Sequence, residues 1–147
     1  MNDVSKLYQL VINREIQVAK NSVLDTHRIY DKCLAFLQCV SDVGAIAHVY
    51  TFWEKSHEIH HGELVDAYIE GLTMLMGIGY ELRIDAIKSY EEIPDPASLE
   101  QQMFKIYEDV LKIQKTFDPL SFQDALDDYF HFGFSLGLST EDILSQY

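Results

Sequence analysis

The sequence ELVDAYIEGLTMLMGIGYEL, residues 63–82, carries the strongest signal for the class of fold. Beyond Glu70 its residues are apolar on nearly every side, and a helix that is apolar all round lies at the centre of its fold. Gly77 and Gly79 weaken the end of this helix. The sequence therefore predicts a central helix that begins near Gly62–Glu63 and has other elements packed on most of its sides.

The chain before this helix follows a helical pattern, with apolar residues three and four positions apart. A first helix is predicted over about 3–20, and a second, long helix from 25–26 to 52–53. The segment EKSHEIHHG, residues 54–62, is polar and ends in glycine, which predicts a loop. The two long helices on either side of this loop are expected to form the central pair of the fold.

The second half of the chain is divided by a linker and by helix-capping signals. EEIPDPAS, residues 91–98, is the clearest linker. The capping signals are Ser98 with Gln101, Asp118 with Pro119, Gly137, and Ser139 with Asp142. They predict helices over about 99–116 and 119–135, and a short last helix that runs to Tyr147. With no strand alternation, the prediction is an all-α bundle of five to six helices in a single domain, residues 1–147.

Composition excludes several classes of protein. Among 147 residues there are 11 basic and 24 acidic ones, a net charge of −13, so binding to a nucleic-acid backbone is not expected. The chain has no signal-peptide pattern and no apolar run of ~20 residues, so no membrane span is expected. Cys33 and Cys39 are the only cysteines and are predicted to be reduced thiols of an intracellular, cytoplasmic protein. The acid excess is compatible with carboxylates gathered around a cation.

Four carboxylates are the candidate cation ligands. Glu63, Asp66 and Glu70 are spaced i, i+3 and i+7, which places them on one helical face. Asp42 lies within an apolar stretch of the second helix, and a buried carboxylate needs a partner or a cation. Carboxylates that point inward from two helices can hold a hard divalent ion such as Mg²⁺. The alternative is that Glu63 and Asp66 are solvated acids favoured by the dipole of a helix N-terminus.

Two further groups have a functional and a structural interpretation. HEIHH, residues 57–61, matches the H-E-x-x-H zinc pattern, but Gly62 follows and no apolar period supports a helix, so a solvated, pH-sensitive loop is predicted. Trp53 and Tyr68 are candidate nucleotide contacts, because aromatic rings stack on bases. The structural alternative is that such rings belong to the core.

Three stretches, in order, resemble the dimeric all-α dUTPases of bacteria and their phages, which are relatives of the MazG-like nucleotide pyrophosphatases. Residues 28–55 resemble a long helix ending in an aromatic-Lys-x-Trp box. Residues 64–82 resemble an acidic motif followed by Gly-Leu-His-Phe, and residues 130–147 resemble the family's "lGexLGls" segment. The resemblance implies a homodimer in which Mg²⁺ holds a nucleoside triphosphate that water cleaves to a monophosphate and pyrophosphate.

The resemblance also shows where this chain departs from the family. The family's E-x-x-E positions fall on Cys39 and Asp42, and its E-x-x-D positions fall on Ala67 and Glu70. Two of the four expected metal ligands are therefore replaced, and the other two differ in length. This pattern predicts an eroded cation site.

Other departures concern the neighbouring motifs. A register shifted by one turn offers Glu63 and Asp66 as an intact E-x-x-D pair, although it breaks the Gly-Leu match. The family's Lys before Trp is Thr51, and its His after Gly-Leu is Thr73. The family continues past the position of Tyr147 with a Lys-Asn-x-x-Asn segment that engages the nucleotide. The loss of ligands and the lack of a matching Lys-Asn segment both predict weakened catalysis.

Three functions are compatible with the sequence. The leading prediction is a dUTPase-like homologue with little or no activity that binds a nucleotide or a partner protein. The second is an active Mg²⁺-dependent pyrophosphatase with Asp42 and Glu70 as catalytic residues and Asp42, Glu63, Asp66 and Glu70 as metal ligands. The third is an acidic, phage-type regulatory or anti-defence protein that binds a basic partner. Mg²⁺ is expected as cofactor only if the protein is active.

Overall fold

The computed structural model describes residues 4–21, 28–88 and 90–146, and this part of the chain contains six α-helices and no strand. The helices are α1 (Val4–Asn21), α2 (Arg28–Ile46), α3 (His61–Glu81), α4 (Leu99–Thr116), α5 (Pro119–Ser135) and α6 (Thr140–Leu144). The all-α prediction is confirmed. None of the described helices is both long enough and apolar enough to span a membrane.

The helix α3 lies at the centre of the bundle, as its apolar sequence predicts. It packs most extensively along α2 and also contacts α1, α5 and α6, while α4 packs along α5 and touches α2. Ten of its residues are buried. The fully exposed positions of α3 are polar or glycine.

The predicted caps close the helices of the second half. Ser98 Oγ accepts from the Gln101 amide at 3.2 Å, and Asp118 Oδ1 accepts from the Leu120 amide at 3.0 Å. Ser139 and Asp142 form a reciprocal capping box before α6. Gly137 follows α5 with φ +89°. The helix α6 ends at Leu144, earlier than predicted, and Tyr147 lies outside the described residues.

The helix α2 ends at Ile46, nearly two turns earlier than the predicted 52–53. His48 takes a left-handed conformation with φ 55°. Its amide donates to the Ala45 carbonyl at 3.1 Å, and the Val49 amide donates to the Gly44 carbonyl at 2.9 Å. These two bonds form a Schellman motif, which terminates a helix and most often has glycine at the left-handed position. The predicted start at 25–26 lies outside the described residues.

A reciprocal tyrosine pair joins α3 to α5. The Tyr68 hydroxyl donates to the Tyr129 carbonyl at 2.8 Å, and the Tyr129 hydroxyl donates to the Tyr68 carbonyl at 2.7 Å. The two buried rings are stacked, with centroids 4.4 Å apart. Gly71 and Gly133 leave space for the two tyrosine side chains, because a Cβ at Gly71 would overlap Tyr129 and a Cβ at Gly133 would overlap Tyr68. The pair fixes the register of α3 against α5.

A buried lysine holds the first three helices together. Lys32 Nζ lies 2.6 Å from Glu15 Oε2 and 2.9 Å from Glu81 Oε1, and it donates to the Gly77 carbonyl at 3.4 Å. Lys32 is therefore charged, buried and paired on both sides, which is the condition under which a buried charge is tolerated. The cluster connects α1, α2 and α3 through one ammonium group.

Candidate functional site

An acid groove of about 440 Å³ runs between α2 and α3. The helix α2 contributes one side and α3 the other, through positions three and four residues apart on each helix. The lining consists of Cys39, Asp42, Ala45, Ile46, Glu63, Asp66, Ala67 and Glu70. All four carboxylates that the sequence suggests as cation ligands thus face the same groove. Among the residues that the structure describes, no basic side chain lines it.

The four carboxylates are exposed to solvent. The expectation that Asp42 is buried is wrong, because its position on α2 lies at the open edge of the groove, while its neighbour Val43 points into the core. The Gln38 amide donates to Asp42 Oδ1 at 3.1 Å. Because Asp42 is in contact with water and accepts this hydrogen bond, its charge does not need a cation to stabilise it.

A histidine loop, residues 47–60, closes one end of the groove. A neighbouring cavity of about 290 Å³ shares Ile46 and Glu63 with the groove and includes His48 and His60 in its lining. The His48 ring lies with Nε2 2.8 Å from the Glu58 carbonyl oxygen and Nδ1 3.0 Å from a Glu54 carboxylate oxygen. This ring orders the loop beside the groove. The sequence gives no signal for it, because a left-handed helix end usually carries glycine.

The H-E-x-x-H pattern does not lie on one helix. The first histidine of the pattern, His57, belongs to the exposed loop, whereas the second, His61, is the first residue of α3. The two histidines of a zinc hydrolase must share the face of a stable helix. The prediction of an exposed loop is confirmed for residues 54–60, and the loop ends there, two residues before its predicted end, because α3 begins at His61.

Comparison with known families covers nearly the whole chain. The family model described as dUTPase matches residues 4–147. The chain belongs to the all-helical dUTPase family. Neither the proteins of curated function nor the solved structures include a match. The four positions at which the resemblance expects metal ligands, those of Cys39, Asp42, Ala67 and Glu70, all line the acid groove.

Cys39 and Ala67 occupy positions in the groove where the dUTPase family is expected to have acids. Burial, followed by the charges of Glu70 and Asp42, raises the pKa of the Cys39 thiol to about 11. At neutral pH the thiol is therefore uncharged in the cation-free groove. Ala67 offers no ligand atom. Two positions of the lining thus contribute no charge toward a cation.

The arrangement does not fit the cation site that the dUTPase family implies. Throughout the part of the chain that the structure describes, no three His, Cys, Asp or Glu side chains converge closely enough to hold a metal ion. The oxygen donors of Asp42, Glu63, Asp66 and Glu70 are of the type that Mg²⁺ prefers, but they are spread along the groove. Their assignment as metal ligands stays a prediction.

The two candidate nucleotide contacts have opposite environments. Trp53 is 62% exposed and meets the ring of Phe52 edge to face, with centroids 5.0 Å apart, so it is accessible to a base. Tyr68 is completely buried, its ring stacked on Tyr129 and its hydroxyl bonded within the core. The prediction that Tyr68 contacts a nucleotide requires correction, because no face of its ring is available.

Proposed function

We propose that this dUTPase-family protein is a nucleotide pyrophosphatase homologue with an eroded cation site, which binds a nucleoside triphosphate or a partner protein but hydrolyses dUTP slowly or not at all. The observation that carries the proposal is the presence of Cys39 and Ala67 in the lining of the acid groove. They stand where the family resemblance expects two carboxylates.

The physical reason is charge balance. A divalent cation, when bound in such a site, holds a triphosphate and activates a water molecule. Without a cation, the exposed carboxylates of Asp42, Glu63, Asp66 and Glu70 repel a triphosphate, because like charges at short range raise the free energy of the complex. A groove that has lost two carboxylates holds a cation more weakly, and so it binds a triphosphate more weakly.

A second candidate function is an active Mg²⁺-dependent pyrophosphatase, with dUTP or a triphosphate of another base as substrate. The favouring observation is that Asp42, Glu63, Asp66 and Glu70 line one groove and are exposed. Exposed side chains are free to change rotamer and gather on one ion. In this case Asp42 and Glu70 are the catalytic residues, and Trp53 is placed to contact the base.

Pyrophosphate release from a panel of nucleoside triphosphates, with Mg²⁺ or Mn²⁺, separates the two functions. Our proposal expects release close to background for every triphosphate, and no change in Asp42→Asn or Glu70→Gln. Glu91→Gln is the control, because Glu91 is an exposed acid outside the groove. Robust turnover that is lost in Asp42→Asn but kept in Glu91→Gln would refute the eroded site and support the second function.

We further propose that the protein is a homodimer, as expected from the family resemblance. The patch that suits an interface lies on α2 and α4, where Tyr30, Leu34, Leu111 and Phe117 are all more than a third exposed. Tyr30 and Phe117 are already in contact, with ring centroids 5.8 Å apart. Clustered exposed apolar side chains of this kind mark protein interfaces.

Light scattering tests the dimer. Leu34→Glu is expected to shift the mass from dimer to monomer, because it places a charge at the centre of the patch. Leu10→Glu is the matched control, since Leu10 is a similarly exposed leucine on α1. A monomeric wild-type protein at micromolar concentration would contradict the proposal.

A further inference from the structure

A second cavity, the aromatic pocket, lies between the end of α2 and the first half of α4. Its volume is about 320 Å³, at the lower end of the range of small-molecule sites. Its lining includes the rings of Tyr50, Phe104 and Tyr107, together with Val49, Met103 and the carboxylate of Glu100. Phe104 is 70% exposed, which is unusual for a phenylalanine on an amphipathic helix.

The hydroxyl groups of the aromatic pocket are already engaged within the protein. The Tyr50 hydroxyl donates to the Ser41 carbonyl at 2.8 Å, and the Tyr107 hydroxyl donates to the Leu37 carbonyl at 3.1 Å. The Ser41 hydroxyl, which also lines the pocket, is paired with the Tyr107 hydroxyl. The side-chain protons of these groups are therefore engaged, and the rest of the lining consists of aromatic and apolar side chains and one carboxylate.

The electrostatic environment of the pocket is negative. Within the described part of the chain, the lining contains Glu100 and no Lys, Arg or His. Burial, the neighbouring Tyr107 and the charges of Asp42 and Glu54 raise the pKa of Tyr50. The net charge of the chain is −13. Anionic ligands such as phosphates are disfavoured in this field, whereas a cation with an apolar surface is favoured.

We propose that the aromatic pocket binds a small alkylated ammonium ion, such as the trimethylammonium group of a choline-like metabolite. Aromatic faces attract such cations through their quadrupole, and Trp or Tyr rings with a carboxylate are the usual components of these sites. Here Tyr50, Phe104 and Tyr107 supply the rings, and Glu100 balances the charge. The pocket is distinct from the acid groove and is independent of the proposed pyrophosphatase function.

Titration of the full chain with choline and with 3,3-dimethyl-1-butanol tests the proposal. The two molecules have nearly the same shape, but only choline is charged. We expect choline to bind about tenfold more tightly than the neutral analogue, measured by calorimetry or by NMR shifts of the pocket residues. Phe104→Leu is expected to weaken choline binding about fivefold, because it removes one ring.

Matched variants on α4 isolate the charge. Glu100→Gln is expected to weaken choline binding by about three- to tenfold and to leave the neutral analogue unchanged. Glu108→Gln, an exposed acid further along the helix, is expected to change neither by more than about twofold. Equal binding of choline and its analogue, or no binding of choline, would overturn the proposal. So would tighter binding of deoxyuridine at the same residues.

Discussion

A pair of buried carboxyl groups between α4 and α5 should make the stability of this protein depend on pH. Asp109 and Asp128 are both more than nine-tenths buried, and each has one buried carboxyl oxygen without a hydrogen-bond partner. Lys105 Nζ lies 3.1 Å from Asp128 Oδ1. Burial, followed by the hydrogen bond to Asp128 and its charge, raises the pKa of Asp109 from 3.8 to about 8. A proton on Asp109 is shared with Asp128 through the hydrogen bond between the two carboxyl groups.

The sign of the effect follows from proton linkage. Between about pH 4 and pH 8 the folded protein keeps a proton on Asp109 that the unfolded chain releases, so the free energy of unfolding falls as the pH rises through this window. Each pH unit is worth about 1.4 kcal/mol, and pH 7 lies about three units above the ordinary pKa of Asp. The cost of burying Asp109 is therefore up to roughly 4 kcal/mol at pH 7 and less than about 2 kcal/mol at pH 5.

Asp109→Asn removes this cost and keeps a donor toward Asp128. We expect the variant to be more stable than the wild type by about 2–4 kcal/mol at pH 7, with a smaller gain at pH 5. The measurement is urea unfolding at unit steps from pH 5 to pH 8. Glu108→Gln is the control, because Glu108 is the adjacent residue and is exposed. A variant that is less stable than the wild type at pH 7, or a difference that does not grow with pH, would refute the shared proton.

Two further predictions concern the packing of the central helices. Gly71→Ala is expected to lower the free energy of unfolding by about 1–3 kcal/mol, because its Cβ would overlap the Tyr129 hydroxyl. The control is Gly62→Ala, where the space is open and no loss of stability is expected. Equal losses of stability in urea unfolding would contradict the role of Gly71 in the reciprocal tyrosine pair. Lys32→Met is expected to cost about 3 kcal/mol, because it leaves two glutamates of the buried cluster without their cation. Lys88→Met, which breaks the more exposed ion pair with Asp127, should cost less than about 1 kcal/mol. A similar loss of stability in both variants would show that the buried lysine cluster stabilises the fold no more than an exposed ion pair does.

The features that the sequence predicts correctly are local ones. The caps formed by Ser98, Asp118 and Ser139 depend on atoms within three residues of each other, so the side-chain type alone specifies the bond. The central position of α3 follows from its composition. The acid groove is also largely predictable, since i, i+3 and i+7 spacing places Glu63, Asp66 and Glu70 on one face.

The features that the sequence misses depend on distant parts of the chain. The helix α2 ends at a left-handed His48, whose ring is held by the loop around Glu58, and no pattern near His48 reveals this. The predictions of a buried Asp42 and of an accessible Tyr68 are wrong for the same reason. The exposure of Asp42 depends on how α2 packs on α3, and the burial of Tyr68 depends on how α5 packs on α3.

The proposed erosion of the cation site is tested most directly by restoring the two acids. Cys39→Glu combined with Ala67→Glu returns carboxylates to both positions in the groove, and Cys39→Gln combined with Ala67→Gln is the control of equal size without charge. The measurement is pyrophosphate release from dUTP with Mg²⁺ or Mn²⁺, compared with the wild type. We expect at least about a tenfold gain in rate in the glutamate variant and no gain in the glutamine variant. A glutamate variant that folds and binds the cation but is no faster than the wild type would contradict the erosion of this site.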